Sequence, residues 1–244
     1  MDTKYQTGDD PLPSDLNDYW ARFFESEHTR QPGRNSYQDI FDNPLLFPLQ
    51  RVRETEWMIQ KAREVNPKTI YEIGTDKGGG LYHWCKCFPT VKKVIACEIR
   101  GTPYADLFEN AFPNIQFLWI SDSSYDPRIV RKVKNWVNSL DVLFIDGDKC
   151  HFDADFDCYY GSMSPNSQIF MHDVQDSAPV EAFERTKIAY PSLPVTKYVN
   201  TDESKESIER ECRGIDPAST HEQWLRYWRG RSCGVGLFEL GESQ

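Results

Sequence analysis

Five short apolar runs recur through the middle of the chain, at residues 69–73, 93–98, 115–120, 141–145 and 168–172. Stretches of helical spacing separate them, around 79–88, 103–111, 127–139 and 153–162. This alternation is the strongest constraint on the fold. Short apolar runs bounded by Pro or Gly read as buried strands. Strands that alternate with helices form right-handed crossover units, and so a mostly parallel sheet covered by helices on both faces. Ahead of the first run, Leu49, Val52, Trp57, Met58, Ala62 and Val65 recur at roughly helical spacing until Asn66-Pro67 stops the helix. Near the end of the chain, residues 195–199 and 233–240 form a candidate antiparallel pair. The expected fold class is α/β, a doubly wound and mostly parallel sheet with a C-terminal antiparallel strand pair and an N-terminal helical arm.

The 244 residues suit one large domain or one domain with a cap. Residues 1–45, rich in Pro, Asp, Asn and Gly, read as an arm or cap, with one aromatic helical patch at Tyr19–Phe24. Residues 46–244 read as the main domain. Within it, the polar stretch 200–230 carries Trp224 and Trp228 on one side of a helix, spaced for core or interface packing. The seven cysteines include no C-x-x-C pair, no charged-then-apolar leader opens the chain, and the longest apolar runs are strand-length. A reduced, cytoplasmic setting without membrane spans is expected. The run Asp153–Asp157 lacks the glycine and closing glutamate of a calcium loop, and its acids suit a helix N-terminus instead.

Ligands of an open α/β sheet bind beyond the carboxyl ends of its strands, so the residues following each run matter most. The first run leads into Glu72-Ile73-Gly74-Thr75-Asp76-Lys77-Gly78-Gly79-Gly80. Its glycines allow a tight turn and close ligand approach ahead of a helix N-terminus. The spacing does not match the G-x-G-x-x-G dinucleotide fingerprint. The second run ends in Glu98, an acid suited to gripping ribose hydroxyls in a two-oxygen contact. The third leads into Ser121-Asp122-Ser123-Ser124, the fourth into Asp146-Gly147-Asp148-Lys149-Cys150-His151, and the fifth into His172-Asp173-Val174.

The E-x-G-x-x-x-G loop resembles the first motif of class I S-adenosylmethionine-dependent methyltransferases. The Ile145–Asp148 and His172–Val174 segments resemble those of small-molecule O-methyltransferases in the cephalosporin hydroxylase, macrocin and rhamnosyl O-methyltransferase group. The likeness spans roughly residues 50–180. It implies that Glu72, Gly74 and Gly78 belong to the loop around S-adenosylmethionine, that Glu98 holds its ribose, and that Asp122 meets its adenine. Asp146 borders both cofactor and acceptor. Members of that group commonly bind Mg²⁺ through two strand-end acids, which makes Asp146 and Asp173 the candidate metal ligands. Two oxygen donors facing one crevice can hold such an ion and lower the pKa of an acceptor hydroxyl. Here His172, a less natural Mg²⁺ ligand, stands beside the second acid, and the acids could instead hydrogen-bond amides or substrate.

Displacement at a sulfonium methyl needs alignment and removal of the acceptor's proton. His151 titrates near neutrality and can serve as base. Lys149 can do so only where burial lowers its pKa. The expected activity is methyl transfer to a hydroxyl of a small molecule, a sugar or secondary metabolite. The net charge of −10 disfavours a phosphate backbone as partner, and no Asp/Asn-Pro-Pro-aromatic motif of amino-directed nucleic-acid enzymes occurs. A nucleic-acid methyltransferase and a non-catalytic cofactor-binding protein are the alternatives, and a homo-oligomer is compatible with the arm and the Trp-rich segment.

Overall fold

The strand β2 (Thr69–Ile73) begins where a carboxylate from a neighbouring strand fixes it: Asp141 Oδ2 accepts from the amides of Lys68 and Thr69 at 2.8 and 2.9 Å. From there the apolar runs extend side by side. The computed structural model describes residues 4–7, 52–76, 78–102, 105–175, 177–199 and 234–241. The aromatic patch at 19–24 and the Trp-rich segment at 224–228 lie outside the described residues.

The remaining strands are β1 (Lys4–Thr7), β3 (Lys93–Cys97), β4 (Gln116–Ile120), β5 (Leu140–Ile145), β6 (Met163–His172), β7 (Val195–Val199) and β8 (Val235–Glu239). They form one sheet in the order β1-β7-β8-β6-β5-β2-β3-β4. All neighbours are parallel except β8, which runs antiparallel to both β6 and β7. The expected closing pair is therefore inserted into the sheet, and residues 4–7 of the N-terminal arm add an outer parallel strand beyond it.

The helices are α1 (Val52–Arg63), α2 (Gly79–Cys87), α3 (Ala105–Ala111), α4 (Pro127–Trp136), α5 (Phe152–Tyr160) and α6 (Ser177–Ala189). Strand residues alternate between two faces, and each face has its own core. Ile70, Val94, Val142, Phe144 and Phe170 pack against Trp57, Met58, Leu81, Trp84 and Phe108 of α1, α2 and α3. Tyr71, Ile73, Leu143, Ile145 and Met171 pack against Val133, Phe156, Tyr159 and Phe183 of α4, α5 and α6. Truncating one of these buried aromatics to Ala would cost about 3–5 kcal/mol.

Two elements depart from the sequence reading. Strand β6 starts at Met163, ahead of the apolar run at 168–172. Its polar first half is held by side-chain bonds, Ser164 Oγ donating to Leu140 O at 3.1 Å and to Asp141 Oδ1 at 2.7 Å. Helix α6 was not expected, because its apolar stripe is short. It buries Ala182, Phe183 and Thr186, while Pro179 sits in the first turn, where its missing N–H costs little.

Parallel register sets the site. Ile73 pairs with Cys97 and Ile145, Cys97 with Ile120, and Ile145 with Met171. The strand ends are thus level, and Gly74, Glu98, Ser121, Asp146 and His172 emerge along one edge. The order in which strands are added reverses between β2 and β5, with β3 and β4 on one side and β5 and β6 on the other, the switch point where such sheets open a crevice.

Candidate active site

Gly74 closes the crevice floor. Its φ is +87°, a left-handed conformation, and a Cβ there would lie 2.4 Å from the carbonyl oxygen of Asp146. Only glycine lets the end of β2 pass this close to the end of β5. Its amide and that of Thr75 both donate to Cys97 O, at 2.8 and 3.2 Å, which folds the loop back over β3.

Glu72 points to the α2 side of the sheet and is buried. Its Oε1 lies 2.7 Å from where Gly80 would carry a Cβ, so the glycine makes room for the carboxyl group. Its Oε2 is buried with no hydrogen-bond partner among the described residues. Burial, and then the negative charge of Asp146, push the Glu72 pKa well above the usual carboxylate range. Buried polar atoms are seldom left without a partner, and a cationic ligand group would supply one.

Glu98 is fixed at the end of β3. Its Oε2 accepts from the Asp76 amide at 3.0 Å and its Oε1 from the Arg100 amide at 3.2 Å. The next residue, Ile99, is 69% exposed, a large apolar side chain left open to solvent just past the end of β3. Asp122 lies on the rim, its Oδ1 accepting from the Ser123 amide at 2.8 Å and its Oδ2 lying 3.4 Å from Arg128 Nη2. The neighbouring Ser123 Oγ is buried without a partner among the described residues.

At the other end, Asp146 and Asp173 face each other across two cations. Lys149 Nζ pairs with Asp146 Oδ1 and lies 2.6 Å from Asp173 Oδ2. His172 Nδ1 lies 3.1 Å from Asp146 Oδ1 and 3.2 Å from Asp173 Oδ1. Its Nε2 lies 3.3 Å from Glu54 Oε2 on α1, whose Oε1 accepts from the Gly234 amide at 2.7 Å. Asp173 reaches this position with φ +57°. Burial opposes charge on each group, yet the partners prevail. Lys149 and then His172 hold Asp146 low, and His172 and then Lys149 hold Asp173 low. The two carboxylates raise Lys149, and Asp146 leads in raising His172.

The chemistry of these donors decides whether a metal fits. Asp146, His172 and Asp173 offer three ligand atoms within 4.8 Å of one another. Yet both imidazole nitrogens are already engaged, Nδ1 with the acid pair and Nε2 with Glu54. The Lys149 ammonium spans the two acids. The set as it stands is balanced by its own cations and does not present a Mg²⁺ shell.

Lys149 stands at the acid pair, whereas His151 stands apart from it. His151 precedes α5, with Nδ1 2.7 Å from Asp148 Oδ2 and its ring against Tyr125. Sequence reasoning did not single out Glu54, Ile99 or Ser123. An apolar residue directly after the strand-end acid was a usable signal for Ile99, while Glu54 lies 118 positions from His172 and left none.

Asp155, assigned above to a helix N-terminus, is also buried. Its Oδ1 accepts from Ser124 Oγ at 2.5 Å, and its pKa is pushed up to about 7, chiefly by burial.

No helix of the described residues is long and apolar enough to cross a membrane. No protein-family model matches the sequence, and no curated protein matches it. Solved structures do resemble it. The O-methyltransferase TomG of Streptomyces achromogenes, in complex with S-adenosylmethionine, superposes with a TM-score of 0.55 at 13% identity, over 91% of this chain and 89% of that one. The O-methyltransferase of Bacillus cereus, in complex with S-adenosylhomocysteine, gives 0.52 at 14% identity, over 94% and 92%. The methyltransferase PaMTH1 of Podospora anserina, bound to S-adenosylhomocysteine, gives 0.51 at 15% identity, over 96% and 99%. At such identities the likeness is one of fold alone, and this chain shares the mostly parallel α/β fold of these three methyltransferases.

Proposed function

We propose that the protein transfers a methyl group from S-adenosylmethionine to a hydroxyl oxygen of a small molecule. The observation that carries this reading is Glu72, a buried carboxyl group with an oxygen unpartnered among the described residues, opposite the side-chain-free Gly80. It suits the ammonium of the cofactor's methionine end. Glu98, held rigid by two amides, offers a carboxylate to the ribose hydroxyls. Ile99 provides an apolar face for adenine, with Ser123 and Asp122 as polar neighbours. The fold shared with cofactor-bound TomG and its counterparts supports the same arrangement.

When bound, S-adenosylmethionine supplies an electrophilic methyl on a sulfonium. An acceptor oxygen would take that methyl group, the bond pair would stay on the sulfur, and the hydroxyl proton would need a base. The chain's part is to align and to take the proton. Lys149, an ammonium between two acids, directs the acceptor oxygen as a hydrogen-bond donor. The hydroxyl proton becomes strongly acidic as the new bond forms, so an Asp146 or Asp173 carboxylate of low pKa can accept it.

A small acceptor fits the net charge of −10, and a cytoplasmic setting fits the free thiols of Cys85, Cys87, Cys97, Cys150 and Cys158. Calorimetric titration tests the reading. Micromolar binding of S-adenosylmethionine and S-adenosylhomocysteine, with none of NAD, is expected. Absence of binding by both sulfur ligands would overturn it.

A further inference from the structure

Between two strand-end carboxylates, where a hard divalent ion could sit, this chain places an ammonium of its own. Lys149 follows Asp146 by three residues, in the turn that leads into α5. From there its Nζ reaches Asp146 Oδ1 and Asp173 Oδ2, with the Phe152 ring 5.4 Å away. The second positive group arrives independently, along β6. His172 is 95% buried, and its two nitrogens are divided between the acid pair and Glu54. The imidazole thus sits between all three carboxylates, with Nδ1 toward Asp146 and Asp173 and Nε2 toward Glu54. The cluster gathers three acids around one ammonium and one imidazole, and the acid oxygens that face the space between the strand ends already face Lys149 and His172.

We infer that Lys149 is the chain's built-in substitute for a divalent cation at the Asp146–Asp173 pair. The site works without a metal, and Lys149 and a divalent ion exclude each other. The role follows from where the ammonium sits. Removing it should uncover a metal site, because the remaining donors have suitable spacing. His172 Nδ1 stands 3.1 and 3.2 Å from one oxygen of each acid, about the separation of adjacent ligands around a metal bonded at roughly 2.1–2.2 Å. With Nδ1 deprotonated and the Nε2 proton kept on Glu54, His172 would become a ligand of the carboxylate-supported kind. A mixed nitrogen and oxygen set favours Mn²⁺ over Mg²⁺.

The inference rests on the methyltransferase reading only for what the site is used for; its test is independent of the cofactor. The full chain is stripped with EDTA, dialysed, and titrated with Mn²⁺ alone, free ion being read from its paramagnetic resonance signal. Wild type should leave the Mn²⁺ free through the micromolar range. Lys149→Met keeps the stem over Phe152 but not the charge, and should take up one equivalent about tenfold to a hundredfold more tightly. Lys149→Ala and Lys149→Gln repeat the test with smaller and polar side chains. Adding Asp146→Asn to Lys149→Met should abolish the uptake. Wild type binding one Mn²⁺ as tightly as the variants would overturn the inference. So would variants that melt like wild type and gain no affinity, or a double variant that still binds. Loss of S-adenosylhomocysteine binding by wild type would count against the proposed function and leave this result standing.

Discussion

Gly74→Ala is a perturbation whose size can be worked out from the structure, and Gly101→Ala is its internal control. Both glycines have left-handed backbones, φ +87° and +79°. An alanine at either pays the same conformational penalty, about 1–2 kcal/mol. They differ in what a Cβ would meet. At Gly101 the nearest atom is Ser121 Oγ at 3.1 Å, the end of a side chain that can rotate away. At Gly74 the Cβ would lie 2.4 Å from Asp146 O, 2.5 Å from Asp146 C and 2.6 Å from Gly147 N, all backbone. Relief requires β2 and β5 to part by nearly an ångström at the strand ends. Overpacking of this kind costs about 1–3 kcal/mol beyond the backbone term. The totals are about 2–5 kcal/mol for Gly74→Ala and about 1–2 for Gly101→Ala. At roughly 2–4 °C per kcal/mol for a chain of this size, Gly74→Ala should melt about 4–20 °C below wild type. Calorimetric melts of the three proteins, with S-adenosylhomocysteine titrations beside them, make the comparison. The displaced backbone carries Asp146, so Gly74→Ala should also bind the ligand more weakly than Gly101→Ala does. Equal melting temperatures for the two variants would refute the claim that backbone contact between β2 and β5 fixes the crevice floor.

Three further outcomes follow from individual carboxyl groups. Glu98→Ala should weaken S-adenosylhomocysteine binding about tenfold to a hundredfold, the worth of charge-assisted hydrogen bonds; unchanged affinity in a titration would remove Glu98 from the ribose contact. The raised pKa of Glu72 favours its protonated form in the free protein, and a ligand ammonium should favour the carboxylate. Binding should therefore release protons and tighten with rising pH. Calorimetry in buffers of different ionisation enthalpy reads this release, which Glu72→Gln should remove; a release that persists in that variant would exclude Glu72 as its source. Asp155 has a folded-state pKa of about 7, above its unfolded value of about 3.9. The folded state then binds more protons than the unfolded one between those pH values, so stability falls as pH rises through that window. Asp155→Asn keeps an acceptor for Ser124 and should raise the melting temperature at pH 8 while changing little at pH 4; the same gain at both would show that ionisation is not the cause.

The sheet was legible because each parallel strand is an apolar run that stops abruptly. Ile73, Cys97, Ile120 and Ile145 end level in the register, and the polar residues after them mark the crevice. Strand spacing alone therefore places Gly74, Glu98, Asp122 and Asp146 on one edge. Where hydrogen bonds replaced apolar packing, the same reading fell short. The first half of β6 is Met-Ser-Pro-Asn-Ser, held by Ser164 on Leu140 and Asp141, and a single apolar residue gives it no strand signature. Helix α6 needs only a narrow stripe, because Phe183 alone fills much of its contact with the sheet.

The reacting end was the harder part to read, for a physical reason. Side-chain charge is not a property of a residue type alone. From sequence, Lys149 is a base only if burial lowers its pKa, and His172 is a poor neighbour for a metal. In the structure both answer to carboxylates that sequence does not bring together. Asp146 and Asp173 come from β5 and β6, and Glu54 comes from a helix on the sheet's far side of the chain order. Once three acids converge, a cation tethered to the chain is favoured over a free ion, because it is already held beside them and gives up less freedom on arrival. That makes the identity of residue 149 decisive. With Lys the acid pair is neutralised from within, and with an uncharged side chain the same backbone presents two carboxylates and an imidazole to any divalent ion in solution.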